Sequence, residues 1–249
     1  LGLVFGSFAG ATVWRLRARQ LRLFEHSGEK VLAGEKKQVK HVKVQSVAND
    51  RSICLHCGHT LAWYDLIPLF SWLQLKGRCR YCNKPIGRLE PLIELGVAAF
   101  FVISYLFWPV SLDSSIQIAH FGIWLIAGVG MAILFVYDAK WFLLPDVVTF
   151  PLIALGIVNS LLYVAAAEDR FLAVLSVLGS CMVLSGLYYV IYVASRHQWV
   201  GFGDVKLGLT LGLLLANWQL AVLGLFFANL IGTLLFLPAM IRGSVSRMT

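Results

Sequence analysis

The sequence predicts an all-α polytopic membrane protein that carries a small cysteine-bearing domain on one side of the membrane. Three observations support this fold class. Hydrophobic residues make up 59% of the 249 positions and charged residues only 14%, and this balance excludes an ordinary soluble domain. The apolar residues gather into long runs, and most of the basic residues lie in one polar stretch near the N-terminus.

About seven apolar segments are expected to form helices. Five of them approach the ~20 residues that a helix needs to cross a bilayer, and these are Leu92–Val110, Ile116–Tyr137, Val147–Ala167, Phe171–Ser195 and Gln219–Ile241. Leu1–Trp14 is expected to be the remainder of a first transmembrane helix, trimmed at its N-terminus because the chain begins at Leu1 rather than Met. Leu207–Ala216 is too short to span upright and predicts a half-helix or a tilted helix.

The distribution of charge predicts the orientation in the membrane. Of the 21 Lys and Arg residues, 15 lie between Arg15 and Arg88, against 6 Asp and Glu residues in Arg15–Glu90. Because basic loops stay on the cytoplasmic side, this segment is expected in the cytoplasm. Counting spans from there places both Asp138 and Asp204 at the cytoplasmic edge. The topology, with contact to anionic membrane lipids, accounts for the net charge of +8, so we expect no nucleic-acid partner.

Four cysteines form the array CxxC–x21–CxxC, with Cys54 and Cys57 in the first pair and Cys79 and Cys82 in the second. Each pair puts two thiolates within reach of one ion, and together they complete a tetrahedral site that suits Zn²⁺. The alternative is two disulfides, which a reducing cytoplasm disfavours. Since four Cys ligands leave no open coordination position, the zinc is expected to be structural.

Aromatic residues are dense between the two cysteine pairs, over Trp63–Leu73. We expect this segment to pack on the metal site. Packing against the bilayer surface and binding of a peptide are the alternatives.

Two acids lie 66 positions apart, each next to an apolar segment: Asp138 in the string YDAK and Asp204 in the string GFGD. An ionisable group at a membrane raises the free energy of the protein unless it is paired or hydrated. Both acids are therefore candidate functional residues. Two carboxylates that share one proton supply a general base and a general acid, which is the chemistry of an aspartic protease. Asp138 follows a span, where the helix dipole disfavours negative charge. The alternative for Asp138 is a simple interface residue that pairs with Lys140.

These motifs, in their order along nearly the whole chain, resemble those of the type IV prepilin peptidases, the bifunctional prepilin leader peptidase/N-methyltransferases among the GxGD membrane aspartic proteases. The resemblance rests on Gly6-Ser7-Phe8 and Trp14-Arg15-Leu16, both cysteine pairs with the segment between them, Pro91, Glu94, Asp138, Leu144-Pro145-Asp146 and Gly203-Asp204-Val205-Lys206.

The resemblance implies that Asp138 and Asp204 are the catalytic pair of an endopeptidase in the bacterial inner membrane, with the active site and the zinc loop facing the cytoplasm. Its substrates would be prepilin or pseudopilin precursors, whose basic leader is cut where it meets the apolar helix. A second activity would N-methylate the new N-terminus with S-adenosylmethionine as donor. Glu94 is the nearest acid for that donor site, and the alternative is a carboxylate that stabilises its own helix start.

The predicted division has three parts: a first transmembrane helix over residues 1–14, a basic cytoplasmic insert with the four-cysteine site over 15–90, and a transmembrane protease core over 91–249. The chain departs from the family pattern at Gly10, where Asn is usual, and at Arg17, where Pro is usual. It also ends at Thr249, before a C-terminal helix that family members carry, so we expect that helix to be missing.

Two other functions would use the same features. A non-catalytic, zinc-stapled membrane scaffold would bind pilin-like helices without cutting them. A proton-coupled transporter would use Asp138 and Asp204 as relays. Transport acids belong near the middle of the bilayer, whereas both acids are expected at its edge.

Overall fold

The computed structural model describes residues 1–28, 34–35, 39–42 and 51–241, and almost all of its regular structure is helical. The helices are α1 (Gly2–Ser27), α2 (Phe70–Gln74), α3 (Leu89–Leu106), α4 (Ser115–Trp141), α5 (Asp146–Ala166), α6 (Arg170–Cys181), α7 (Leu187–Ala194), α8 (Phe202–Leu215) and α9 (Trp218–Ile241), with a 3-10 turn at Trp63–Leu66 and a π turn at Met182–Gly186. Over these residues there is no β-strand, only two isolated bridges.

Five helical segments are long and apolar enough to cross a membrane, and they confirm the predicted multi-pass fold. They are Leu89–Leu106, Ser115–Trp141, Asp146–Ala166, Arg170–Ala194 and Trp218–Leu235. The other two predicted apolar segments are helical as well, within α1 and α8. Helix α1 continues to Ser27, well beyond Trp14, so the predicted domain boundary at residue 14 lies inside a helix. The three-part division stays a prediction.

The chain forms two compact units. The first consists of Leu1–Gln117 and Trp124–Val148, and the second of Ile118–Ile123 and Thr149–Thr249. The first unit therefore contains the cysteine pairs and Asp138, and the second contains Asp204.

In the first unit, α1 packs against α3 through glycines spaced four residues apart. A Cβ atom at Gly2 would lie 2.6 Å from Cα of Ala98, and one at Gly6 would lie 2.5 Å from Cα of Glu94. Small residues at this spacing let two helix backbones approach closely in a membrane. Beside this contact, α1, α3 and α4 share a buried core formed by Ala9, Val13, Leu16, Ile93, Val97, Val129, Ile133, Val136 and Tyr137.

In the second unit, the last carbonyl groups of the short helix α8 have no partner within their own helix and need other hydrogen-bond donors. The Asn159 side-chain amide donates to the carbonyl of Leu214 at 2.9 Å, and the Ser160 hydroxyl donates to that of Leu213 at 2.7 Å. Both donors come from α5. These two side chains satisfy the C-terminal end of a 14-residue helix.

We predict that Gly6→Ala destabilises the first unit by about 1–3 kcal/mol, because its new Cβ would meet the rigid backbone of α3. Gly96→Ala is the matched control: it lies within α3 with nothing within 4 Å of its Cβ position, so it should be neutral or stabilising by up to ~1 kcal/mol. Thermal unfolding of the purified protein in detergent measures both, and equal melting temperatures would contradict the prediction.

Candidate functional site

The two cysteine pairs fold into matching knuckles. In the first, Cys54 N–H donates to the carbonyl of His59 at 2.9 Å, and Gly58 N–H donates to the carbonyl of Cys54 at 2.8 Å. The second repeats both bonds 25 positions later, between Cys79, Lys84 and Asn83. Gly58 and Asn83 adopt positive φ angles of 72° and 55°, as expected from residue types that tolerate this turn.

The knuckles bring the four predicted ligands together. The Sγ atoms of Cys54, Cys57, Cys79 and Cys82 all lie within 4.8 Å of one another, and those of Cys54 and Cys82 are 3.9 Å apart. Sulfur ligands about 2.3 Å from a tetrahedral ion are separated by ~3.8 Å, so this donor set fits a metal ion. None of the five cysteines forms a disulfide. The structure therefore disagrees with the alternative of two disulfides.

The cluster is partly desolvated, since Cys54 and Cys79 are 7% and 3% exposed. Burial raises the pKa of the Cys54 thiol to about 12. This thiol therefore keeps its proton at neutral pH until a bound cation displaces it, as metal–thiolate bonding requires.

Asp65 ties the segment between the knuckles to the second knuckle. Its carboxylate accepts from Arg80 Nε at 2.8 Å, from the Tyr81 hydroxyl at 3.1 Å and from Ala62 N–H at 3.3 Å. Burial alone would raise the pKa of Asp65, but the hydrogen bonds from Arg80 and Tyr81 outweigh it and lower the pKa. The charged form is thus the one that holds the loop together.

The predicted packing of the aromatic segment on the metal site is wrong for three of its apolar side chains. Trp63, Phe70 and Leu73 are 77%, 61% and 64% exposed. Of the two tryptophans in this segment, only Trp72 is partly packed. Its indole N–H donates to the carbonyl of Gly87 at 3.2 Å, and its ring lies against Gly77. The helix of this segment, α2, has only five residues, and none of them is buried.

Glu94 holds the middle of that segment against α3. Its Oε2 accepts a hydrogen bond from Leu69 N–H at 2.8 Å, and its carboxylate also accepts one from the Ser7 hydroxyl. Leu69 has φ 59° and ψ −45°, and Phe70 N–H donates to the carbonyl of Pro68, so Leu69 is the centre of a strained γ-turn. The hydrogen bond that Leu69 N–H donates to this buried carboxylate is charge-assisted and stabilises the turn.

A cavity of about 240 Å³ lies between the knuckles, residues 6–15 of α1 and the start of α3. Its walls include Ser7, Trp14, Arg15, Glu90 and Glu94 together with Cys54 and Cys79. Glu94, the predicted donor-site acid, therefore lines the cavity, and its hydrogen bonds with Leu69 and Ser7 hold two other lining residues in place.

Glu90 also lines this cavity and was missed by sequence reasoning. Its Oε1 accepts from the Trp14 indole N–H at 3.3 Å, whereas its Oε2 is buried without a hydrogen-bond partner. One signal was visible: Glu90 precedes Glu94 by one helical turn, so both acids lie on one face of α3. The repeat Gly2-xxx-Gly6-xxx-Gly10 was missed too, and its spacing alone indicates close helix packing.

Arg17, one of the two departures from the family pattern, is buried in the first unit. It forms an ion pair with Glu35, donates to Gln20 Oε1 at 2.7 Å and lies 5.0 Å from the centroid of the Trp141 ring. Its charge is therefore compensated within the structure. The other departure, Gly10, faces Ile93 Cδ1 at 3.6 Å from its Cβ position, an ordinary packing distance.

Asp138 lies in the last turn of α4 with its side chain exposed. Its carbonyl accepts a hydrogen bond from Phe142 N–H at 2.7 Å, and Phe142 closes the helix in the left-handed conformation. A negative charge at this helix end is unfavourable to the helix, as the sequence predicted. The Lys140 ammonium lies 4.0 Å from the centroid of the Trp14 ring.

Asp204 lies in the first turn of α8 and is also exposed. Its Oδ2 accepts Gly201 N–H at 3.2 Å, so the carboxylate is held at the helix N-terminus, where negative charge is stabilised. The helix dipole therefore disfavours a negative charge on Asp138 and favours one on Asp204.

Comparison with known proteins matches both parts of the chain. Residues 1–108 match the family model described as the bacterial peptidase A24 N-terminal domain, and residues 125–237 match the one described as the type IV leader peptidase family. A type 4 prepilin-like proteins leader peptide-processing enzyme of Escherichia coli is 35% identical over 217 residues, which cover 85% of this chain and 73% of that protein. The chain belongs to the type IV leader peptidase family.

Other members of the type IV leader peptidase family show similar coverage. A prepilin leader peptidase/N-methyltransferase of Klebsiella pneumoniae is 33% identical over 88% of this chain and 83% of its own length. One of Pseudomonas aeruginosa is 29% identical over 94% of this chain and 77% of its own length. No solved structure matches the chain. The A24 N-terminal match contains the knuckles and the cavity, and the leader peptidase match contains Asp138 and Asp204.

We predict about one tightly bound metal ion per chain, held by the four knuckle cysteines. Cys79→Ser should lose most of this metal and loosen the loop before the helices, because metal-binding free energy in such a loop is folding free energy. Elemental analysis of purified protein measures the metal content. Cys181→Ser, which removes a thiol from α6 outside the cluster, is the matched control and should keep its metal.

Proposed function

We propose that this chain is a membrane aspartic endopeptidase that removes the basic leader from type IV prepilin-like precursors and then N-methylates the new N-terminus. The observation that carries the proposal is the position of Asp138 and Asp204: both are exposed acids at the ends of apolar helices, inside the stretch that matches the leader peptidase family. Membership of this family does not favour a non-catalytic scaffold or a transporter.

The proposed catalytic step divides the work between the two aspartates. One ionised carboxylate removes a proton from a water molecule, whose oxygen attacks the scissile carbonyl carbon. The other, protonated, donates a hydrogen bond to the carbonyl oxygen and stabilises the charge that develops there. Proton transfer to the leaving amine completes cleavage. Because a coupled pair titrates as a unit, either residue can hold the shared proton.

For the four-cysteine site we propose a structural Zn²⁺. Four thiolates in two knuckles are the ligand set of closed, structural zinc sites and leave no position for a reacting water. Zinc would hold the two knuckles together and so keep the wall of the adjacent cavity in place. The metal takes no part in peptide cleavage.

For the methyl donor we propose S-adenosylmethionine, bound in the cavity of the first unit. The donor is charged and soluble, so its site must open to the aqueous side, and this cavity lies beside the zinc loop with acidic and aromatic groups in its walls. The donor would supply an activated methyl group, while Glu94 would keep the wall formed by Leu69 in place.

We place the protein in the bacterial inner membrane with the zinc loop, the cavity and both aspartates on the cytoplasmic side. The excess of Lys and Arg in residues 15–90 supports this orientation, and it would also attract anionic membrane lipids. The partners are prepilin or pseudopilin precursors, and no nucleic acid is needed to account for the charge.

We predict that Asp138→Asn and Asp204→Asn each abolish leader cleavage, with a loss of at least ~10³-fold, while the protein stays folded. An amide can neither accept the proton of water nor share a proton with its partner. Mass spectrometry of a pilin-like precursor incubated with the solubilised protein measures the products. Asp113→Asn removes one charge from an exposed loop and should cleave at the wild-type rate. Full-rate cleavage by either dyad variant would contradict the proposed catalytic pair.

We predict that Glu94→Gln slows methylation more than cleavage, by about tenfold or more, because the weaker hydrogen bond to Leu69 N–H relaxes the cavity wall. The product should then be cleaved but largely unmethylated, which is a mass difference of one methyl group. A product that is cleaved and fully methylated would instead restrict Glu94 to packing between α1 and α3.

A further inference from the structure

The segment between the knuckles carries a group of exposed apolar side chains, which we name the apolar patch. Its members are Trp63, Leu66, Ile67, Phe70 and Leu73, and all five are exposed. The 3-10 turn that holds Trp63 and Leu66 packs against α2. Phe70 and Leu73 are three residues apart in α2 and therefore share one helix face. An exposed apolar group of this kind marks a surface that another molecule covers.

A hydrogen bond to α3 fixes the depth of the apolar patch relative to the bilayer. Leu69, directly before Phe70, donates its N–H to Glu94 Oε2 at 2.8 Å, and Glu94 lies in the second turn of α3. The 18 residues of α3 cover about 27 Å, slightly less than the ~30 Å of the hydrocarbon core. Every turn of α3 is therefore needed to cross the bilayer, and Leu69 lies with Glu94 at the edge of the apolar layer.

The exposed side chains of α3 place lipid at the same level. Leu92 and Leu95 flank Glu94 and are exposed on the surface of a helix that can cross the membrane. Apolar side chains in that position contact lipid, because contact with water would be unfavourable. The apolar patch, which begins next to Leu69, therefore has lipid within reach.

The charges around the apolar patch suit an anionic lipid surface. Residues 51–88 contain six Lys and Arg residues and one acid, Asp65, and this acid is paired with Arg80. Lys76 and Arg78 follow α2 closely in the sequence and are exposed. Cations beside exposed aromatic side chains are typical of segments that bind the membrane interface. The same cations would repel a basic leader peptide, so lipid is the better match.

We propose that the apolar patch inserts into the interface of the anionic membrane that the helices cross. Phe70 and Leu73 contact the upper acyl chains, and Lys76 and Arg78 contact lipid phosphate groups. The loop that carries the knuckles is thereby held on the bilayer at a second place, in addition to the hydrogen bond between Leu69 and Glu94. This docking goes beyond the proposed peptidase and methyltransferase activities and depends on neither.

The test measures the surroundings of single side chains in the full-length protein. A fluorescent amino acid with polarity-sensitive emission replaces Leu73, and the protein is inserted into nanodiscs of phosphatidylethanolamine with phosphatidylglycerol as the anionic lipid. Lipids brominated on their acyl chains then quench any probe that reaches them. The same probe at Leu95, on the exposed face of α3, is the positive control, and the probe at Lys84, exposed in the second knuckle, is the negative control. A further probe at Phe70 repeats the measurement, and melting temperatures verify that each variant is folded.

We expect brominated lipid to reduce the emission at positions 70 and 73 by about half or more, as at position 95, and to leave position 84 unchanged. Quenching at positions 70 and 73 that is no stronger than at position 84 would overturn the proposal. Emission that stays water-like in nanodiscs and changes only when a pilin-like precursor is added would also overturn it, and would assign the apolar patch to the substrate. Because the probes are first read without a precursor, a protein that lacks peptidase activity still gives a decisive result.

Discussion

At Gly6 the backbone of α1 lies against the backbone of α3, and the rest of the first unit is arranged around this contact. A Cβ at Gly6 would come within 2.5 Å of Cα of Glu94, so only glycine allows the helices to approach this closely. The approach brings Ser7 to the Glu94 carboxylate, and that carboxylate in turn holds the γ-turn at Leu69. The turn at Leu69 thus depends on the contact between α1 and α3.

The same principle, that each buried polar group must find a partner, orders the second unit. Asn159 and Ser160 satisfy the terminal carbonyls of the short helix α8. Near its start, the Ser185 hydroxyl, in the π turn, donates to the carbonyl of Val205 at 2.9 Å. Secured near both ends, α8 presents Asp204 in its exposed first turn. In a membrane, where water is scarce, such pairs decide where a short helix can begin and end.

The cysteine cluster forms part of the cavity wall. Cys54 and Cys79 lie in the cavity wall, and the Asp65 hydrogen bonds hold the second knuckle to the segment between the knuckles. A metal ion in the cluster would therefore stabilise the shape of the cavity.

Much of this protein follows from its sequence alone. The helical segments, the four cysteines that come together and the candidate acids Asp138 and Asp204 near helix ends could be predicted, because apolar run length, CxxC spacing and charge near a span are local patterns with direct physical meaning. The sequence did not reveal that Glu94 supports a loop turn, that Glu90 keeps a free oxygen, or that Trp63 and Phe70 stay exposed. Those features depend on which groups from distant positions meet. Only the tertiary structure decides them, because the hydrogen-bond partners of a buried carboxylate and the covering of an aromatic ring come from other parts of the chain.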